Sequence, residues 1–411
     1  MRRSLAIAVA VVVVLVAGGS VGSSSASTPT AGTGGVTKGE IKIGITYPDL
    51  DAIRSVTNTN HGDYEESYRA VVDDLNRRGG VNGRKVVPVF AKINPIGDVP
   101  AQEACVKLTE DEKVFVAMSF FNADAPLCFV QSHDTPILGG QTTPKNLAAA
   151  KAPWVTLESG ADLGVRQIDA LAKAGALKGK LGIVANAIEE QSQLKDVVLP
   201  ALKQRGLRGT TAIIDAPSGD TVANVQQATT IMERFKSDGV KTVLLVGGAV
   251  TAVVNALSKS DYRPRLVANN ARNLASTASN PATDPAVVKT AISADSGFIF
   301  SDPALKKCFA TIEKKTGNKI VENVPQGEPQ YRVSAQTACE YIDLFATLAT
   351  AAGKNLTTES FGKAIDRLKT VTVTGLGTMT YQPKTHTFSL PMFIYRYDPT
   401  LKRLVAEQQV S

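Results

Sequence analysis

The sequence predicts an α/β protein made of two doubly wound lobes, each a mainly parallel sheet with helices on both faces. Apolar runs of strand length alternate with helical patterns along most of the chain. The runs are short and nearly continuously apolar, as expected for parallel strands buried on both faces. The same order of strands and helices begins again after Leu163, and KLGIVAN at 180–186 resembles EIKIGIT at 40–46 in pattern. The two halves are similar in pattern, as if one α/β unit had been used twice, and do not form a sequence repeat.

The first set of elements begins at Glu40, where Ile41, Ile43 and Ile45 alternate within a short apolar strand. A helical pattern follows and ends at Gly79. The predicted strands are 40–47, 85–90, 114–120, 136–138 and 154–157. The predicted helices between them are 63–78, 100–109, 123–132 and 144–150.

The second set begins with a helix at 163–174. The predicted strands are 180–185, 210–214, 240–246 and 265–268, and the predicted helices 191–205, 221–237 and 249–258. Beyond Asn270 the patterns predict helices at 303–316, 333–352 and 358–368. Strand-like segments at 378–381 and 387–397, joined by a turn, end the chain.

Composition excludes several classes of protein. The chain has 411 residues, of which 43% are hydrophobic and 20% charged, close to ordinary globular usage. Disorder, collagen and coiled coil are therefore not expected. The formal net charge of +7 is small and spread along the sequence, whereas a nucleic-acid binder gathers its basic residues on one face. No nucleic-acid partner is expected.

The N-terminus has the pattern of a secretory signal peptide. Arg2 and Arg3 precede an apolar run at 5–17, and small and polar residues follow it as far as Ala26. We expect residues 1–26 to be removed on export. An uncleaved anchor at 5–21 is the alternative, because roughly 17 apolar residues can just cross a bilayer.

The segment after this run bears on localisation. Residues 27–38 are rich in Thr and Gly and are predicted to be a linker. No cysteine follows the apolar run that could carry a bacterial lipid anchor. The mature chain is therefore predicted to be periplasmic or on the cell surface, without a lipobox cysteine.

The sequence has four cysteines: Cys105, Cys128, Cys308 and Cys339. In an exported protein an even count favours disulfides, and three pairings are formally open. Local pairing, Cys105 with Cys128 and Cys308 with Cys339, is preferred. Four buried thiols are the alternative, since cysteine also packs as a small hydrophobic residue.

Signatures of catalysis and of metal or cofactor binding are not found. The sequence contains no P-loop, HExxH or CxxC, and its three histidines are far apart. Its GxSxG match, GGSVG at 18–22, lies within the predicted signal peptide and is not a nucleophile elbow. His133 stands beside Asp134, but adjacent residues point to different sides of a helix. LVGGAV at 245–250 is interpreted as a tight strand-to-helix turn, with an anion site at a helix N-terminus as the alternative. We therefore expect no enzyme activity, cofactor or metal.

The architecture indicates where a ligand binds. In open α/β sheets, ligands lie outside the carboxyl ends of the strands, and two such lobes form a cleft at that edge. The residues predicted to bind the ligand are Tyr47, Ser119, Phe120, Phe121, Gln141, Thr142, Glu189, Gln191 and Asn270. Aromatic surface combined with amide, hydroxyl and carboxylate groups suits reversible binding of a small polar solute.

Phe120 and Phe121 are predicted to differ in role. Neighbouring side chains of an extended chain point to opposite faces, so one ring packs inward and the other faces the cleft. The alternative is that both rings belong to the core. If one faces the cleft, the solute has aromatic or aliphatic bulk.

Several segments together resemble a known family. They are GEIKIGITYPDL, GDYEESYRAVVDDLNRRGGVNGRKV, ACVKLTEDEKVFVAMS, TPILGGQTTP and SAQTACEYIDLFATLATAAGKN, of which RRGGVNGRK is the most specific. They resemble the solute-binding proteins of ABC importers with the type I periplasmic-binding fold, in the leucine/isoleucine/valine-binding group. The resemblance implies two lobes joined by three crossovers: residues 39–158 with 272–375, and 159–271 with 376–411.

The resemblance also implies roles for some residues. The family has a hydroxyl- and amide-rich loop after its third strand, which Ser119 matches, and a Thr before a Pro, which Thr142 and Thr143 match. It has a Tyr-Gly pair in the second lobe, which is missing from 187–191, and an acidic residue to meet an ammonium group where this chain has Asn269 and Asn270. The amino-acid clamp is thus incomplete.

The expected function follows from this resemblance. It is that of an extracytoplasmic, monomeric receptor that closes by a hinge over a small, amino-acid-like solute and docks on an ABC permease. The alternative is an extracytoplasmic sensor module that reports a small ligand to a signalling partner.

Overall fold

The computed structural model describes residues 34–54, 60–96, 99–121, 124–157, 160–186, 191–216, 220–297, 299–322, 324 and 328–410. The predicted signal peptide and the first part of the predicted linker lie outside these residues. The strands are β1 (Glu40–Pro48), β2 (Lys85–Ile93), β3 (Val116–Ser119), β4 (Ile137–Gly139), β5 (Trp154–Leu157), β6 (Leu181–Asn186), β7 (Gly209–Ile214), β8 (Thr242–Val246), β9 (Arg265–Ala268), β10 (Ile292–Ser296), β11 (Thr370–Val373), β12 (Gly377–Gln382), β13 (Thr387–Ser389), β14 (Met392–Asp398) and β15 (Arg403–Val410).

The helices are α1 (Tyr64–Arg77), α2 (Val99–Val106), α3 (Pro144–Ala149), α4 (Gly160–Lys173), α5 (Leu199–Gln204), α6 (Thr221–Ser237), α7 (Ala249–Ser258), α8 (Ala271–Ala278), α9 (Pro285–Val288), α10 (Pro303–Thr316), α11 (Tyr331–Ala352) and α12 (Thr358–Arg367). Short π-helical segments occur at Lys107–Asp111, Cys128–Ser132 and Gln193–Val198, and a 3-10 turn at Asp51–Ile53. No helix in the described ranges is long and apolar enough to span a bilayer.

Two mixed, mainly parallel sheets organise the described chain. The first has the strand order β11-β12-β13-β5-β4-β3-β1-β2, and the second β15-β14-β10-β9-β8-β6-β7. Strands β1 to β5 are parallel to their neighbours within that group, as are β6 to β10. The antiparallel strands are confined to one end of each sheet. The predicted fold class is confirmed.

Both sheets are covered on both faces. Helices α1, α10, α11 and α12 cover one face of the first sheet, where Tyr68 and Phe345 are fully buried. Helix α2 and the segments around Phe129 cover the other face. In the second sheet, α6 to α9 pack on one face around Phe235, and α4 and α5 pack on the other around Ile183.

The chain passes between the sheets after β5, after β10 and after β13. The first passage agrees with the predicted lobe boundary at 158/159, but sheet membership differs from the predicted boundaries at 272 and 376. Strand β10 belongs to the second sheet, and β11 to β13 belong to the first. The sequence of β10, ISADS, is short and half polar, so it lacks the apolar run by which the other strands were recognised.

Two further predictions need correction. The segment predicted as one strand at 387–397 is two strands in different sheets, separated by Pro391, which has no N–H for a sheet ladder. The predicted linker also ends earlier than Lys38. Val36 forms a bridge with Ile41 and packs against the first core, so the fold begins before the first strand.

Both predicted disulfides are present. Cys105 is bonded to Cys128 and ties α2 to the π-helical segment that begins at Cys128. Cys308 is bonded to Cys339 and ties α10 to α11. The preferred local pairing is therefore confirmed.

Candidate functional site

The candidate site lies at the carboxyl ends of the strands in both sheets. In each sheet the strand order reverses at one place, between β1 and β3 in the first and between β6 and β8 in the second. Such reversals open a crevice at the carboxyl edge, where ligands bind. The chain leaves β5, β10 and β13 from this edge and enters the other sheet's layer at its carboxyl edge. The two carboxyl edges therefore face each other across the crossovers.

Ser119 ends β3 in an unusual backbone conformation. Its φ is +92°, and its side chain is buried. Its hydroxyl is hydrogen-bonded to the Tyr68 phenol, which donates to the Thr337 carbonyl at 3.3 Å. A Cβ on the neighbouring Gly139 would lie 2.5 Å from the Ser119 carbonyl oxygen, so this close approach requires glycine. The start of the loop after β3, which Ser119 matches to the family's hydroxyl- and amide-rich loop, is thus held by Tyr68 and by close packing against Gly139.

Side chains also anchor the loop after β4. The Trp154 indole N–H donates to the Gly139 carbonyl at 2.9 Å, and the Thr156 hydroxyl donates to the Gly140 carbonyl at 2.6 Å. The Thr142 hydroxyl donates to the Thr385 carbonyl at 2.9 Å. The Thr142 hydroxyl therefore uses its proton to anchor this loop. Its oxygen still has lone pairs that can accept a hydrogen bond from a ligand.

The remaining predicted residues of the first lobe lie at this same edge. Gln141 is exposed, directly before Thr142. Phe120 and Phe121 are both half-buried against the core cluster that contains Phe129. Phe121 makes an edge-to-face contact with Phe129 at 5.5 Å between ring centroids. The inward-packing role therefore suits Phe121. Phe120 packs against the same cluster, and its place in the cleft stays a prediction.

The end of β1 carries a group of aromatic side chains that sequence reasoning found only in part. The Tyr47 hydroxyl donates to Glu65 Oε1 at 2.7 Å, and its ring stacks on Tyr64 at 5.6 Å between centroids. The Tyr64 hydroxyl lies 2.8 Å from His61 Nδ1. Burial raises the pKa of both phenols, with Glu65 raising that of Tyr47 further. Both tyrosines are therefore neutral hydrogen-bonding groups at ordinary pH.

A cation lies beside this group. The guanidinium carbon of Arg332, near the start of α11, is 5.4 Å from the centroid of the Phe300 ring. Burial, and then the charge of Arg332, lower the pKa of His61. His61 is accordingly neutral near pH 7, and Arg332 supplies the positive charge. Sequence reasoning missed Arg332 because its helix lies far along the chain from β1.

The carboxyl edge of the second sheet presents a buried amide. Asn269 follows β9, and its side-chain oxygen accepts a hydrogen bond from the Gly247 N–H at 3.0 Å. This backbone donor fixes which side-chain atom is the oxygen. The amide nitrogen Nδ2 is buried and has no hydrogen-bond partner among the described residues. Asn269 is therefore a donor in need of an acceptor, a feature that only the pairing of β8 with β9 reveals.

Asn270, which the sequence predicted to bind the ligand, has a structural role. Its side chain accepts a hydrogen bond from the Asn273 N–H at 2.9 Å and so caps α8. Asn273 Nδ2 in turn donates to the Gly247 carbonyl at 3.2 Å. Gly247, with φ of +58°, is held from both sides, so the interpretation of LVGGAV as a tight turn is confirmed.

Glu189 and Gln191 are the other two residues of the second lobe that the sequence predicted to bind the ligand. Gln191 is exposed at the start of the helical segment after β6. Glu189 lies outside the described residues. The structure thus brings Tyr47, Ser119, Phe120, Phe121, Gln141 and Thr142 to one edge and Asn270 to the other.

Two doubly wound lobes whose carboxyl edges face each other define a two-lobed solute-binding protein. A family model described as periplasmic binding protein matches residues 40–402. The chain belongs to this family. Family members are solute-binding proteins rather than enzymes, as the sequence predicted. The comparison with curated protein sequences returned no match.

Solved structures share the fold at low sequence identity. A putative branched-chain amino acid ABC transporter protein from Rhodospirillum rubrum is 13% identical with a TM-score of 0.66, covering 90% of this chain and 99% of that one. A fatty acid ABC transporter substrate-binding protein from Thermomonospora curvata is 18% identical with a TM-score of 0.59, covering 92% and 94%. An ABC transporter solute-binding protein from Rhodopseudomonas palustris, in complex with p-hydroxybenzoic acid, is 16% identical with a TM-score of 0.60, covering 90% and 96%.

Proposed function

We propose that this protein is the extracytoplasmic receptor of an ABC importer and that its solute is a small, amino-acid-like organic acid with an aliphatic or aromatic body. The solute lies between the two carboxyl edges and is enclosed when the lobes close. The closed form docks on a membrane permease. Family membership supports the receptor role, and the polar groups of the two edges support the choice of an acid.

The buried amide of Asn269 is the observation that favours an organic acid as the solute. A buried donor without a partner costs about 1–3 kcal/mol. A carboxylate or carbonyl oxygen of the solute would accept from Nδ2 and remove that cost. An ammonium group has no acceptor and would leave Nδ2 unpaired.

The first lobe complements the same chemistry. Arg332 is a cation beside the aromatic group of Tyr47 and Tyr64. Of the carboxylates around Tyr47, Glu65 accepts from its hydroxyl at 2.7 Å, and Asp49 pairs with Lys92 at 3.0 Å. Burial and then the charges of Glu65, Asp63 and Asp49 raise the pKa of Tyr47, so Arg332 is the part of this group that an anionic head group would approach.

The solutes named for the structural neighbours are organic acids. They are p-hydroxybenzoic acid for the Rhodopseudomonas palustris protein, a fatty acid for that of Thermomonospora curvata, and Leu for a protein from Desulfitobacterium hafniense. These solutes differ in their bodies and share a carboxylate. Because those proteins are distant, they support a carboxylate only as a class.

Hinge closure is the proposed mechanism, and the crossovers supply the hinge. The Ile299 N–H donates to the Gly375 carbonyl at 2.8 Å, and Arg166 Nη1 donates to the Leu390 carbonyl at 2.9 Å. These few contacts join segments at the boundary between the lobes. A solute that contacts both lobes shifts the open-to-closed equilibrium by its differential affinity for the two forms.

Calorimetry with matched acids and amides tests this proposal. The purified chain is titrated with L-leucine and leucinamide, with 4-methylpentanoate, and with 4-hydroxybenzoate and 4-hydroxybenzamide. We expect at least one acid to bind and its amide to bind at least tenfold more weakly. Equal binding of acid and amide would contradict the carboxylate. A sensor module would share this site, and capture of a permease rather than a signalling protein by the closed form distinguishes the two.

A further inference from the structure

A histidine lies against one of the two disulfides. One ring nitrogen of His133 and the sulfur atoms of Cys105 and Cys128 all lie within 4.8 Å of one another. Cys105 is fully buried, and Cys128 and His133 are partly exposed. These residues come from α2, from the π-helical segment beginning at Cys128 and from the residue that follows that segment. Spacing along the sequence did not reveal the cluster, because α2 is brought to it by folding.

A carboxylate completes the group. Glu110 Oε1 lies 3.6 Å from His133 Nε2. Two thiolates and an imidazole are ligands that zinc prefers, and a carboxylate either takes the fourth tetrahedral position or orients the imidazole through its other nitrogen. In a tetrahedral zinc site the ligand atoms are roughly 3.5–3.8 Å apart, so the two sulfur atoms would have to separate after reduction, while the imidazole nitrogen is already within 4.8 Å of them.

We propose that Cys105, Cys128 and His133, supported by Glu110, form a zinc-binding site in the dithiol state of this protein. Every chain passes through that state, because its cysteines are thiols until they are oxidised. Zn²⁺ binds both sulfurs as thiolates and displaces one proton from each thiol. Formation of the Cys105–Cys128 disulfide by exchange with an oxidised thiol–disulfide oxidoreductase, which takes up the two electrons and is reduced to its dithiol, then requires release of the metal, because a zinc-bound thiolate is not free to attack the oxidant's disulfide. Zinc therefore delays oxidation of this pair.

The second disulfide is an internal control. Cys308 and Cys339 are joined at a Cα separation of 6.2 Å, close to the 6.3 Å of the first pair. Within the described residues, no group of potential metal ligands that includes Cys308 or Cys339 was found. Among the described residues, the Cys105–Cys128 pair has an imidazole beside it and the Cys308–Cys339 pair does not. Zinc is therefore expected to protect the first pair and not the second within the same molecule.

The test uses the full chain reduced by a water-soluble phosphine, which takes up an oxygen from water as the disulfides become thiols. After anaerobic removal of the phosphine, each cysteine is alkylated with and without one equivalent of Zn²⁺, and the rates are measured by peptide mapping. Co²⁺ titration of the same protein reports thiolate coordination by its charge-transfer absorption. His133→Ala and Glu110→Gln test the ligands, with Asp134→Asn as the adjacent control.

We expect zinc to slow alkylation of Cys105 and Cys128 at least tenfold while the rates at Cys308 and Cys339 change little. His133→Ala is expected to abolish the protection at one equivalent, and Asp134→Asn to leave it unchanged. Equal protection of both pairs, or full protection in His133→Ala, would overturn the proposal. Should complete reduction unfold the chain, Co²⁺ is titrated instead into chain in which only the Cys105–Cys128 disulfide has been opened, with chain in which only Cys308–Cys339 has been opened as its counterpart. Absorption of equal strength in the two would also overturn the proposal.

Discussion

Asn269 Oδ1 accepts a hydrogen bond from the Gly247 N–H at 3.0 Å, which joins the residue after β9 to the turn after β8. This bond orients the amide so that Nδ2 is the buried atom without a partner among the described residues. The donor stands at the carboxyl edge of the second sheet, where the fold places ligands. The proposed carboxylate therefore has a specific partner.

Asn269→Ala is predicted to weaken binding of the preferred acid by roughly ten- to a hundredfold, since it removes a buried hydrogen-bond donor. Calorimetry on the variant measures this. Asn270→Ser is the matched control, because serine keeps a neutral helix cap on α8 and introduces no charge beside the proposed carboxylate. Unchanged affinity in Asn269→Ala would mean that this amide only holds the turn after β8 and does not bind the solute.

The two residues after β4 are predicted to respond differently. Gln141 is exposed, so Gln141→Ala should lower affinity about tenfold without changing stability. Thr142→Ala should lower both affinity and stability, the latter by about 1 kcal/mol, because its hydroxyl also donates to Thr385. Thr142→Ser keeps that hydroxyl and is the control. Calorimetry and urea unfolding check both effects, and wild-type affinity in Gln141→Ala and Thr142→Ala would place the cleft elsewhere.

Glu340 on α11 is predicted to make stability fall as pH rises. It is buried, and burial raises its pKa from 4.5 to about 8. The folded chain therefore holds a proton that the unfolded chain releases, and the stabilisation present below pH 4.5 is lost up to about pH 8. The loss is about 1.4 kcal/mol per pH unit.

Glu340→Gln removes this titration and tests it directly. Urea unfolding should show a variant close to the wild type near pH 5 and increasingly more stable than it towards pH 8. The exposed Glu359 on α12 is the control, and Glu359→Gln should leave the pH profile unchanged. A Glu340→Gln profile parallel to that of the wild type would contradict the raised pKa.

The Cys308–Cys339 disulfide is predicted to contribute roughly 3 kcal/mol to stability, because it restricts a loop of the unfolded chain. Its two cysteines are 31 residues apart, and it joins α10 to α11. The double variant Cys308→Ala/Cys339→Ala, compared with the wild type by urea unfolding, measures this contribution. A loss well below 1 kcal/mol would mean that the unfolded chain is already restricted there.

The parts of the fold that the sequence predicted share a local signal. Strands such as β6 (LGIVAN) and β8 (TVLLV) are apolar throughout because helices cover both faces of their sheet. Strand β10 (ISADS) lies towards one end of the same sheet and alternates small and polar residues, so periodicity did not reveal it. Because β10 was not recognised, the predicted boundary at 272 ended the second lobe before this strand.

The site was harder to predict than the fold. Ser119 and Thr142 follow apolar strands and could be placed at an edge from their position alone. Asn269 and Asn270 are adjacent and chemically identical, and only contacts across the sheet separate the buried donor from the helix cap. The association of Arg332 with His61 depends on tertiary packing between distant segments, which no local pattern encodes.

Native mass spectrometry of the chain, purified without denaturation from the cells that produce it, would identify the solute itself. We expect one retained small molecule per chain that carries a carboxylate and an aliphatic or aromatic body, and that dissociates when the protein is unfolded. Retention of a polyamine, a neutral sugar or another solute without a carboxylate would contradict this expectation.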